Sequence, residues 1–76
     1  MLQYQIQLHT IPDVKEFVNA LTGLPAEADL STGRHTVDAK SIIGIFSLDL
    51  SAPLTLTVYG EEDADYRARL APFLSK

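Results

Sequence analysis

The sequence contains no cysteine, so it has neither a disulfide framework nor a thiolate metal site, and packing alone must hold the fold. That absence fits a reducing compartment. It also has no apolar run near the roughly 18 residues needed to cross a bilayer; the longest is IIGIF with its neighbours, so a soluble chain without membrane insertion is expected. The opening MLQYQIQL lacks the positive start and unbroken apolar centre of a signal peptide, and the mature chain is expected to begin at or near Met1. Basic residues are scarce. Six bases against ten acids give a net charge of −4, which disfavours nucleic acid and anionic lipid as partners and leaves a protein partner or a small anion site open. No Gly-rich phosphate loop, nucleophile elbow or metal-ligand cluster is present, so neither a metal, a cofactor nor an independent catalytic activity is expected.

What is there is periodicity. With 76 residues and 46% apolar content the chain has room for one core, and residues 1–76 are expected to form a single domain. Residues 2–8, LQYQIQL, place Leu2, Tyr4, Ile6 and Leu8 on one face and glutamines on the other, the alternation of a half-buried strand. In PDVKEFVNAL, Val14, Phe17, Val18 and Leu21 form the stripe of an amphipathic helix. Thr10 and Asp13 have capping-box spacing, Pro12 is tolerable in a first turn, and Gly23 and Pro25 end the helix. Residues 26–30 and 35–38 read as strands joined by Ser31, Thr32 and Gly33. Residues 42–48, IIGIFSL, are by composition either a buried strand or a short apolar helix. Ser41 before them is a good helix cap. After Pro53, LTLTVY alternates again. The acidic run EEDAD precedes YRARLAPFL, whose Tyr66, Leu70, Phe73 and Leu74 mark a last helix with acids in its first turn; Pro72 either ends or kinks it. The resulting order is βαββαβα: an α+β open-faced sandwich, a four-stranded antiparallel sheet with helices on one face.

The segment TVDAKSIIGIFSL closely resembles the corresponding region of HPr, the histidine phosphocarrier of the bacterial sugar phosphotransferase system, whose members have this same element order. The resemblance covers roughly residues 14–74 and makes the IIGIF segment a short helix. In that family a histidine caps the first helix within a glycine-histidine-alanine-arginine-proline stretch and accepts a phosphoryl group. Here the region reads QLHTIPDV. An ungapped register puts Thr10 at the family's histidine; a one-residue gap puts His9 there. Neither register supplies the arginine or the glycine.

The resemblance implies cytoplasmic location and protein partners, namely phosphotransferase-system enzymes, a kinase or a transcriptional regulator. His9 is the candidate phosphoacceptor, opposed by Asp13, which faces the donors that a phosphate would use. His35, in a strand without a second ligand nearby, reads as a surface or edge residue. Ser41 corresponds to the serine that a regulatory kinase phosphorylates in Gram-positive HPr proteins. The family's contact positions map onto Ile42, Ile43, Phe46 and Ser47, while Ile42 and Ile45 are equally compatible with the core. Three functions follow: a regulatory protein-binding module using Ser41, a phosphocarrier using His9, or a diverged domain with neither phosphorylation.

Overall fold

Alternating and helical segments each become one element in the computed structural model, which describes residues 2–23, 25–60 and 64–74, with side chains at 64 and 65 excepted. In order these are β1 (Leu2–Ile6), α1 (Ile11–Thr22), β2 (Glu27–Thr32), β3 (His35–Asp38), α2 (Ile42–Phe46), β4 (Leu54–Tyr59) and α3 (Ala64–Leu70), with a 3-10 turn at Ala71–Phe73. The strands form one sheet in the order β1-β4-β2-β3, and every neighbouring pair is antiparallel.

Register explains why the sheet has one apolar face. Tyr4, Leu56, Leu30 and Val37 stand in line across all four strands, as do Leu2, Val58 and Ala28 across three. The intervening rows, Gln5-Thr55-Ser31-Thr36 and Gln3-Thr57-Asp29-Asp38, lie on the opposite face. A slip of one residue would exchange the two faces, so burial pins the register. Onto the apolar face α1 sets Val14, Phe17, Val18 and Leu21, the predicted stripe, and α2, α3 and the 3-10 turn add Ile45, Tyr66, Leu70 and Phe73 to the same core. Phe17 and Phe73 meet edge to face at 5.5 Å, joining the first helix to the last turn. The open-faced α+β sandwich read from the sequence is the fold observed.

Three boundaries differ from the expectation, and at Pro72 one of the two expected courses is taken. β1 stops at Ile6 rather than residue 8, because the Gln7 N–H leaves the β1–β4 ladder and donates to the Phe73 carbonyl at 2.8 Å. Leu8 is nevertheless fully buried. Ser31 and Thr32 belong to β2 and pair with Thr36 and His35, so the hairpin turn is Gly33-Arg34. Only Gly33 carries a positive φ, 58°, among the described residues, the pattern of a two-residue loop with glycine in its first position. The second helix spans 42–46 rather than 42–48. At Pro72 the α-helix ends rather than kinks and the chain tightens into the 3-10 turn, since proline has no N–H to continue the α ladder. The acidic stretch Glu61, Glu62 and Asp63, read as the approach to the last helix, lies outside the described residues.

Candidate functional site

Two helix starts carry the candidate residues. At the first, Thr10 is the N-cap of α1 in extended backbone conformation, and its Oγ1 accepts from the Asp13 N–H at 3.2 Å. Asp13 answers with one oxygen: Oδ2 accepts from the Thr10 N–H at 3.2 Å and from the His9 N–H at 3.0 Å. The Val14 N–H donates to the Thr10 carbonyl at 3.2 Å, and Pro12 has no N–H. Only the Ile11 amide of this turn is left without a protein acceptor among the described residues. The predicted capping box is therefore complete, and Thr10, not His9, holds the cap position, as the ungapped register has it.

His9 sits one residue outside the helix, exposed, in the loop after β1. α1 itself carries no arginine. The Arg69 guanidinium packs against Gly23 at the other end of the helix, about 18 Å away for twelve residues at the α rise. Arg34 is in the β2–β3 turn. His35 is exposed on β3, which forms one edge of the sheet, and no group of three or more His, Cys, Asp or Glu able to hold a metal occurs among the described residues.

At the second helix start, the chain enters through a tight turn that sequence reading did not single out. The Lys40 N–H donates to Asp38 Oδ1 at 2.9 Å and the Ser41 N–H to the Asp38 carbonyl at 3.0 Å, an Asx-type turn that aims Ser41 at α2. Aspartate two residues before the lysine was its only sequence signal. Ser41 caps α2: Oγ accepts from the Gly44 N–H at 3.1 Å, and the Ser41 carbonyl accepts from the Ile45 N–H at 3.0 Å. The Ile42 and Ile43 amides have no protein acceptor among the described residues, and the first turn holds no acid. Gly44 permits close approach here, because a Cβ on it would lie 3.2 Å from Val37 Cβ and 3.3 Å from Ser41 Oγ.

α2 then divides its apolar residues. Ile45 is fully buried, which settles it as core, whereas Ile42 is 36%, Phe46 43% and Ile43 85% exposed. Ile42 with Phe46, and Ile43 with Ser47, are i, i+4 pairs, so two adjacent rows of the helix surface face outward. The Ser47 hydroxyl donates to the Gly44 carbonyl. Just beyond, Ser51 donates through both Oγ and N–H to Asp49, which holds that carboxyl below its usual range. Ile11, 60% exposed at the start of α1, is a further large apolar side chain in water that the sequence pattern did not mark. On the far side of the sheet Tyr59 Oη donates to Asp29 Oδ2 at 2.8 Å, and this bond raises the phenol above its ordinary pKa.

These features define a class: a small α+β open-faced sandwich with two capped helix starts, one beside a histidine and one beginning at a serine. No family model and no curated protein matches the chain. Solved structures do. The crystal structure of HPr-C-His from Thermoanaerobacter tengcongensis superimposes with a TM-score of 0.73 at 23% identity, over 93% of this chain and 85% of that one. The phosphocarrier protein HPr from Bacillus anthracis str. Ames gives 0.69 at 26% identity, over 97% and 94%. The chain has the HPr phosphocarrier fold and is similar to HPr proteins at low sequence identity. No described helix is long and apolar enough to cross a membrane.

Proposed function

We propose that this HPr-like chain is a regulatory, protein-binding module related to the phosphoenolpyruvate-dependent sugar phosphotransferase system, acting in the cytoplasm of a bacterium. Ser41 is its phosphorylation site, and Ile42, Ile43, Phe46 and Ser47 are its partner face. The supporting observation is the make-up of α2. Burying a large aliphatic or aromatic side chain stabilises by about 1.5–3 kcal/mol, yet this helix of five residues anchors itself with Ile45 and leaves Ile42, Ile43 and Phe46 partly or largely in water. A partner would recover that burial.

Ser41 stands at the edge of this patch. Phosphorylation would put roughly −1.5 to −2 charges beside two open amides with no competing carboxylate in that turn, so the backbone need not rearrange and the effect falls on the partner. The resemblance to HPr supplies the kinase. Incubation with an HPr kinase and ATP should give acid-stable label that is absent in Ser41→Ala. No label on the wild-type chain would favour a diverged domain without phosphorylation.

The second reading is a phosphocarrier using His9, favoured by the exposure of that imidazole at the start of a twelve-residue helix. Phosphoenolpyruvate with the general phosphotransferase enzyme would then give acid-labile label lost in His9→Ala. That outcome would replace the regulatory reading.

A further inference from the structure

We infer that Asp13 is an internal block on His9: its carboxylate occupies the amide cradle beside the imidazole and keeps a phosphoryl group from settling there. Two observations carry this. A single oxygen, Asp13 Oδ2, takes both the His9 N–H at 3.0 Å and the Thr10 N–H at 3.2 Å, so the backbone donors nearest the ring already serve an anion. The rest of the turn offers one amide, that of Ile11, in exchange: Thr10 Oγ1 takes the Asp13 N–H, Pro12 has none, and Arg69 lies at the opposite end of α1. Charge-assisted bonds to a carboxylate are about twice as strong as neutral ones, and a second anion brought beside it is repelled in addition. The turn is thus held shut by the same pair that caps the helix. An acid at this position of the first turn gives the His9 and Thr10 amides an anion without any modification.

The block acts on chemistry at His9 and needs neither kinase nor partner to be seen, so its failure is distinguishable from failure of the Ser41 reading. Phosphoramidate serves as the probe. An imidazole nitrogen forms a bond to phosphorus of the N-protonated phosphoramidate, the P–NH3+ bond breaks, neutral ammonia leaves, and the proton of the imidazolium product passes to solvent. His35, exposed on β3, is an internal reference in the same molecule. Phosphohistidine at the two positions is followed by phosphorus-31 NMR and by mapping of the labelled peptides under alkaline conditions.

In the wild-type chain His9 should label at least roughly fivefold more slowly than His35, the factor expected for a like charge held a few ångströms from the incoming anion in water. Asp13→Asn keeps the shape and removes the charge, and should bring the two rates to within about twofold; Asp13→Ala should do the same. Folding of both variants is checked by thermal melts, and the amide proton resonances of His9 and Thr10 should move in both. Equal labelling of His9 and His35 in the wild type, or an unchanged ratio in folded Asp13→Asn, would overturn the block.

Discussion

The starts of α1 and α2 use the same device, a hydroxyl that accepts from the third amide of its helix, and they differ in what surrounds that bond. At α1 the cap is reciprocal, and Asp13 returns a charged acceptor to the loop carrying His9. At α2 the serine works alone, leaving two amides open and no acid in the turn. Anchoring differs as well. α1 buries four residues, Val14, Phe17, Val18 and Leu21, whereas α2 buries only Ile45. What separates the two helix starts is a carboxylate three residues on and the depth of the helix behind it.

The largest effect is expected from that single anchor. Ile45→Ala should cost about 2–4 kcal/mol in a denaturant melt, and hydrogen exchange should quicken in α2 before α1. Unchanged protection of α2 would show that its anchoring lies elsewhere. Next come the caps. Thr10→Ala removes one half of a reciprocal pair and should cost about 1–2 kcal/mol, against about 1 kcal/mol for Ser41→Ala. Equal losses in thermal melts would mean that the returning Asp13 bonds contribute nothing net.

Gly44→Ala follows. Alanine adds helix propensity, but its Cβ must press on Val37 Cβ and Ser41 Oγ, so a net loss of about 1 kcal/mol is expected, together with a shift in the Ser41 resonances. The smallest changes should fall on the outward side of α2. Ser41→Asp keeps a good N-cap and adds a favourable charge, and Ile43→Ser alters a side chain already 85% exposed; each should leave stability within about 0.5 kcal/mol. If Ile43→Ser removes partner binding while the melt is unmoved, the exposed rows of α2 are an interface. A large loss of stability in that variant would instead return Ile43 to the core.

Much of this was legible in the residues. The α1 stripe, the capping box and the final strand follow from spacing alone, because a helical or alternating pattern over six or more positions has one consistent burial solution. IIGIF was different. Over five positions either period fits; the resemblance to HPr pointed to a helix, and packing of Ile45 in the core, with Gly44 close against Val37, is what makes it one. Chain ends of elements were also hidden: Gln7 left its strand for the Phe73 carbonyl, a partner 66 residues away that no local pattern announces.

By itself, then, the sequence determined the element order, the two faces of the sheet and the hydroxyl caps, since propensity, period and cap chemistry act over a few neighbouring residues. The tertiary structure alone decided which of four neighbouring apolar residues in α2 is buried, and that one carboxylate oxygen of Asp13 serves both His9 and Thr10. Those outcomes depend on where one element sits against another and on which donors a folded turn brings to one point. Spacing along the chain specifies neither.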